Sequence, residues 1–203
     1  VVAGSHGKTT TTSLIAGIFS KAKLDPTIIN GGVLNSFKNS AKLGKSKWCV
    51  LESDESDGSF IKVPPTYAIV TNIDREHMDY YKSMEHLKNL FIEFISKVPS
   101  FGKTFICIDN KNNFEILKKI KIKNYYTYGT NPKSQFRIKN VKQFKDYSQF
   151  NVLISLPGKK KLSLKNINIP LLGLHNIRNA TASLAVSVTI GVSREVIKKG
   201  VKE

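Results

Sequence analysis

The sequence predicts an α/β fold: a mostly parallel sheet with helices on both faces and a phosphate loop, plus a small antiparallel β-sheet at the edge. Three observations predict it. Short apolar runs alternate with segments of helical periodicity through the first half of the chain. A turn rich in glycine and threonine, "GSHGKTT", stands between the first strand and the first helix. Further on, the pattern changes to short runs rich in aromatic and β-branched residues.

In order, "VVAG" is a strand. It leads into "KTTTTSLIAGIFSKA", where Leu14, Ile15, Ile18 and Phe19 recur at helical spacing. "PTIIN" is strand-like and is expected to end in a turn at "GG". "KWCVLES" and "TYAIVTN" are two more short apolar runs. Residues 83–98 place Leu87, Leu90, Phe91, Phe94, Ile95 and Val98 on one helical face. "KTFICID" is a buried strand, and "NNFEILKKI" a short helix. "NYYTYGT", "SQFRIKNVKQF", "SQFNVLISLP" and "KLSLKNINIPL" are expected to pair antiparallel. The chain then returns to helix in "NIRNATASLAVSVTIG", closed by Gly191, and in "SREVIKKGVKE", opened by Ser193.

At 203 residues the chain is long enough for one large domain or two small ones. It carries no apolar run of membrane-spanning length and no signal-peptide pattern. It opens inside a strand-like run, which suggests that the natural protein continues upstream. Cys49 and Cys107 both lie in apolar runs without metal-binding spacing, so buried free thiols in a reducing compartment are expected. The net charge of +17 raises a nucleic-acid reading. Only Arg75, Arg137, Arg178 and Arg194 among the 32 basic residues are arginine, and the lysines are scattered. Base readout and bidentate phosphate contacts favour arginine, so the charge reads as a solvated surface. Lys159 to Lys161 read as a hairpin turn.

The turn after the first strand lacks the first glycine of the strict phosphate-loop spacing. What remains is Gly4, Gly7, Lys8 and Thr9, between strand and helix. Two glycines let the backbone approach an anion, and the first helical N–H groups, near Thr9, Thr10 and Thr11, would point at it. Lys8 would serve the terminal phosphates, and the Thr9 hydroxyl could hold Mg²⁺. Two other strands end in related chemistry. One runs into Glu52, Asp54, Glu55 and Asp57; the other runs into Asn72 and then Asp74, Glu76, His77 and Asp79. Ligands of open α/β sheets collect at the carboxyl ends of parallel strands. Acids there make sense beside a triphosphate if they hold a cation. Glu52 and His77 are the candidate ligands of a second metal.

"GSHGKTTTTS", "LESDESDGSF", "TNIDREHMD" and "GLHNIRNATASLAV" together resemble, in order and spacing, the central domain of the Mur ligases, and the resemblance covers essentially the whole chain. "GKT" alone is unspecific; the four together are not. The His of "SHGKT", the "DESD" run and the "HMD" triplet are similar to the branch that joins L-alanine to UDP-N-acetylmuramate. A branch that returns a whole peptide to UDP-muramate resembles "DEYD" at the acidic run, which argues against it here.

The resemblance implies a cytoplasmic enzyme that uses ATP and Mg²⁺ to phosphorylate a substrate carboxylate, after which an amine attacks the acyl phosphate. It implies catalytic roles for Lys8, Glu52 and His77, with Thr9, Glu52 and His77 as metal ligands. Gly4, Ser5, His6, Gly7, Lys8, Thr9, Thr10 and Asn72 would meet the phosphates. His175, Asn176 and Asn179 would lie on the adenine side. His6, Asp54, Ser56 and Asp57 would face the muramoyl substrate. Residues 1–203 would form a single central domain, with the UDP-binding N-terminal and the C-terminal domains outside it, and the domain alone would turn over little or nothing. No partner nucleic acid or membrane is implied. Some relatives place a carbamoylated lysine where this chain has Phe91 and Ile92, and the alanine-adding branch is similar in lacking it. Arg178 departs from the apolar residue that the resemblance implies, and is expected to be a solvated helix side chain. The competing class, a basic nucleic-acid-binding module, predicts steeply salt-dependent binding to DNA or RNA and little response to Mg²⁺-ATP.

Overall fold

The computed structural model describes residues 1–34 and 39–202. In chain order the elements are β1 (Val2–Ala3), α1 (Lys8–Lys21), β2 (Thr27–Leu34), β3 (Asn39–Lys42), β4 (Cys49–Leu51), a 3-10 turn at Ser59–Lys62, β5 (Tyr67–Val70), α2 (Met78–Tyr81), α3 (Met84–Ser96), β6 (Lys103–Cys107), α4 (Lys111–Ile116), β7 (Tyr125–Gly129), β8 (Phe136–Gln143), β9 (Ser148–Ile154), β10 (Leu162–Ile169), α5 (Leu174–Thr189) and α6 (Arg194–Gly200). The final residue of the "SREVIKKGVKE" segment lies outside the described residues.

The main sheet runs β1-β5-β6-β7-β8-β9-β10. Its first four pairings are parallel, and β8-β9 and β9-β10 are antiparallel. The fold class read from the sequence holds. The antiparallel strands, however, continue the main sheet through the parallel β7-β8 pair, and "NYYTYGT" is itself a parallel strand. A separate small sheet, β3-β2-β4, is built from the segment before residue 52 and is mixed.

Side-chain alternation on the parallel strands creates two cores. Ile69, Phe105 and Cys107 face the layer containing α1, α5 and α6, with Leu14, Ile18, Leu184 and Ile197. Ala68, Val70 and Ile106 face α3, where Phe91, Phe94 and Ile95 are fully buried. Both faces of β5 and β6 are therefore covered, which is why those strands read as unbroken apolar runs. β9 instead alternates buried and half-exposed residues, because only one of its faces is covered. Ser83, Asn110 and Ser193 cap α3, α4 and α6, each accepting a backbone N–H. Gly191 follows α5 at φ 89°, the left-handed position expected after a helix.

Two local expectations change. Gly31 and Gly32 do not turn the chain; β2 runs through both to Leu34. Cys107 is buried, and burial pushes its thiol up to about 11, but Cys49 is exposed. β4 is an edge strand, so an apolar run there does not ensure that every side chain is covered. Among the described residues no helix is long and apolar enough to cross a membrane.

Candidate active site

The loop after β1 is squeezed between the ends of two other elements. Gly4 sits at φ 134°, and a Cβ there would come 2.1 Å from Thr71 Oγ1. Gly7 sits at φ 82°, where a Cβ would come 2.5 Å from Asn179 Oδ1 on α5. Side-chain residues are excluded from both positions by conformation and by space. The loop is tied to the end of β5. Ser5 N–H donates to Asn72 O at 3.0 Å. The Asn72 amide accepts from His6 N–H at 2.8 Å and donates to His6 O at 2.9 Å. Thr71 Oγ1 also donates to His6 O at 2.8 Å. The start of α1 has no side-chain cap and no acid in its first turn. Its amide donors are thus left to an anion.

Lys8 folds back over this loop. Its ammonium donates to Gly4 O at 2.9 Å and to Glu55 Oε2 at 2.7 Å, and lies 3.7 Å from Asp54 Oδ1. Glu55 is 1% exposed, and its Oε1 has no hydrogen-bond partner. That oxygen points toward His77, whose Nε2 is 3.9 Å away. His77 occupies the left-handed region at φ 53°, a strained backbone for a side-chain residue and one that concentrates at working sites. Tyr81 OH donates to Glu55 O and fixes the acidic loop from beneath.

Thr9 Oγ1 donates to Glu52 Oε1 at 2.9 Å, and Gly31 N–H donates to Glu52 Oε2 at 2.8 Å. A Cβ on Gly31 would come 2.9 Å from Glu52 Oε1, so the glycine read as a turn serves instead to admit this carboxylate. Thr9 and Glu52 are two oxygen donors of the kind that suit Mg²⁺. Among the described residues, no three His, Cys, Asp or Glu side chains form a ready-made chelate. A cation here would complete its shell with phosphate and water oxygens, as Mg²⁺ ordinarily does.

The remaining expected residues divide. His6 Nε2 lies 3.7 Å from both Asp74 Oδ2 and Glu76 Oε1. Ser56 Oγ donates to Asp54 Oδ2 at 2.6 Å. That bond, against the opposing effect of burial, holds the Asp54 carboxyl below its usual range, with help from Lys8. Asp57 is turned to its own loop, accepting from Ser59 N–H at 2.9 Å. On α5, Asn176 Nδ2 donates to Leu172 O at 2.8 Å, and Asn179, 6% exposed, packs against Gly7. A cavity of about 340 Å³ joins the two groups, with His6, Gly7 and Asn72 on one side and His175, Arg178 and Asn179 on the other.

Arg178 is not a solvated side chain. Its Nε donates to Asp109 Oδ2 at 2.7 Å, and Asp109 is 6% exposed. Asp109 also accepts from Thr130 N–H, Thr130 Oγ1 and Asn131 N–H, each at 2.9 Å. Burial pushes this carboxyl up, but the Thr130, Arg178 and Asn131 donors outweigh it and hold it below the ordinary range. No motif in the sequence singles out Asp109 and Asn110. Their position is the signal, since both follow the carboxyl end of β6, as Glu52 and Asn72 follow theirs.

A glycine loop over the carboxyl ends of parallel strands defines a class, the open α/β proteins that gather their site at that edge. The chain belongs to a particular family within it: the Mur ligase middle domain matches residues 2–187. The chain is 73% identical to UDP-N-acetylmuramate--L-alanine ligase of Pelagibacter ubique over 100% of its own length and 44% of that protein. It is 42% identical to the ligase of the same name from Bartonella quintana, again over 100% of itself and 43% of the relative. The chain thus spans less than half the length of these curated relatives. Among solved structures, UDP-N-acetylmuramate-alanine ligase from Thermotoga maritima superposes with a TM-score of 0.82 at 22% identity, over 99% of this chain and 43% of that one. A UDP-N-acetylmuramate:L-alanyl-gamma-D-glutamyl-meso-diaminopimelate ligase from Neisseria meningitides gives 0.82 at 25% identity, over 98% and 64%.

Proposed function

We propose that residues 1–203 form the ATP-handling central domain of a cytoplasmic ligase that joins L-alanine to UDP-N-acetylmuramate. The N-terminal UDP-binding and C-terminal domains of that ligase would lie outside this chain. The observation that carries the reading is an uncapped helix start that sets Lys8, held by Glu55, next to Thr9, held by Glu52. The 73% identity to a protein of that name adds the substrate assignment.

In this reading ATP lies along the loop, with its phosphates on the N–H groups of α1. Lys8 leaves Glu55 and the loop carbonyls for the β/γ-phosphates. A substrate carboxylate oxygen attacks the γ-phosphorus, the bond to the β–γ bridging oxygen breaks, and ADP leaves. The amine of L-alanine then attacks the acyl phosphate carbon; inorganic phosphate departs and the amine loses a proton. Mg²⁺, when bound, screens the charge between the phosphates and the incoming carboxylate. Thr9 and Glu52 would hold it, and His77, as a neutral imidazole, would hold a second ion with Glu52. Glu55 Oε1, without a hydrogen-bond partner among the described residues, lies 3.9 Å from that imidazole. His175, Asn176 and Asn179 would take the adenine side. His6 and the Asp54–Asp57 loop would take the muramoyl side.

The test uses the full-length protein. ADP release should require Mg²⁺, UDP-N-acetylmuramate and L-alanine together, and an acyl phosphate should be trapped when the amino acid is left out. Efficient turnover with a tripeptide and none with L-alanine would reassign it to peptide recycling. Tight, salt-sensitive DNA or RNA binding without Mg²⁺-ATP turnover would sink the ligase reading.

A further inference from the structure

Arg178 lines the cavity between His6 and His175, and the reaction proposed for the site gives it no part. It sits between His175 and Asn179 on the first turns of α5. Its Nε is committed to Asp109, a carboxylate fixed by three further donors from the end of β7. The guanidinium is therefore anchored at one nitrogen. Among the described residues its other N–H groups have no hydrogen-bond partner, one third of its side-chain surface is open, and Arg178 lines the 340 Å³ cavity beside Tyr128 and Asn179. An apolar residue at this point would offer the cavity neither donors nor a charged plane.

We propose that Arg178, aimed by Asp109, is a specificity-determining residue that binds the base of the nucleotide. The anchored guanidinium presents donors to the acceptor nitrogens of a purine edge, or its face to the ring. Asp109 is the positioning residue, since its four hydrogen bonds fix where the guanidinium can lie. The direction is set by the fold. The phosphates belong at the start of α1, which Asn179 touches at Gly7, and Arg178 lines the same cavity with Cys107 and Tyr128 at the ends of β6 and β7. The inference rests on the ATP reading above.

The experiment uses the full-length ligase, with ATP and with inorganic tripolyphosphate as a probe that has phosphates but no base. Arg178→Leu should raise the KM for ATP about tenfold, the size of a lost hydrogen bond to a charged group. It should leave kcat and the KM for UDP-N-acetylmuramate within about twofold, and leave inhibition by tripolyphosphate unchanged. Arg178→Lys keeps a cation for Asp109 and protects the fold, but loses the planar fork. It should melt like the parent and still bind ATP more weakly. An unchanged KM for ATP in either variant overturns the proposal. So does an equal weakening of tripolyphosphate, which would trace the effect to the loop. If the unmodified ligase fails to bind Mg²⁺-ATP, the proposed function itself falls, whatever the variants do.

Discussion

The parallel and antiparallel parts of the main sheet place their polar groups differently. β1, β5 and β6 all finish at one edge, and their next residues reach one another: Asn72 grips His6, and Asn110 Nδ2 donates to Asp74 Oδ1 at 2.9 Å. β8, β9 and β10 reverse direction in turn, so their connections leave from opposite edges and cannot converge. The turn between β9 and β10 carries Lys159, Lys160 and Lys161, all exposed. Chemistry gathers where strand direction brings loops together, and the antiparallel strands supply a wall of core for α5. The molecule should therefore separate loss of activity from loss of stability along this line.

The largest effect is expected at Lys8, where the separation is put under most strain. Lys8→Ala in the full-length enzyme should lower turnover about a thousandfold, because in the proposed reading the lysine serves charge developing on the phosphoryl group. It should also cost about 3 kcal/mol of stability, because it strands the buried Glu55 carboxylate. Adding Glu55→Gln should recover most of the melting temperature and none of the turnover. If Lys8→Ala alone melts like the parent, Glu55 is not held by this pair.

Phe150→Ala lies across the line, in β9, where the ring is fully buried. It should lower stability by about 3–4 kcal/mol in denaturant titrations and leave kcat per folded molecule unchanged. A specific loss of kcat would show that the antiparallel wall does more than support α5.

Asp109 straddles the two parts, and its test is a pH profile. Its folded carboxyl titrates below its unfolded value, so its contribution to stability is present above about pH 4 and disappears as pH falls through the folded value. The melting-temperature gap between the parent and Asp109→Asn should accordingly be constant near neutrality and close under acid. A gap independent of pH would remove the ionised carboxylate from the account.

The smallest effect is expected at Ser83, the cap of α3, whose hydroxyl accepts from His86 N–H at 3.1 Å. Ser83→Ala should cost about 1 kcal/mol and no activity. By contrast α1 starts without any side-chain cap, and the comparison sharpens if only its own start affects ATP binding.

Much of this was legible in the sequence, for physical reasons. Periods of two and of three to four residues report which faces are covered, so β5, β6, α1 and α3 could be read directly. The glycine spacing of the loop reports a close approach, and Gly4 and Gly7 make it. What could not be read was pairing across distance. Gly31 looks like a turn until Glu52, 21 residues later, is found to need the space of its missing side chain. Arg178 looks like any exposed helical cation until Asp109, 69 residues earlier, is placed beside it. Strand runs after residue 124 announce their conformation but not their partner, so the parallel β7-β8 join is not legible in them.

The amide of Asn72 has a mechanical consequence. It carries the same donor and acceptor as a peptide group, and it grips both backbone groups of His6. In effect the β1-β5 ladder gains one rung beyond the last paired residues, Ala3 and Val70. The loop is in this way fastened to the end of β5, a strand covered on both faces. Displacement on ligand arrival is left to parts without such a fastening. The Lys8 side chain, whose ammonium exchanges a loop carbonyl and Glu55 for phosphate in the proposed reading, is such a part. The loop behaves as an anvil, and the lysine does the moving.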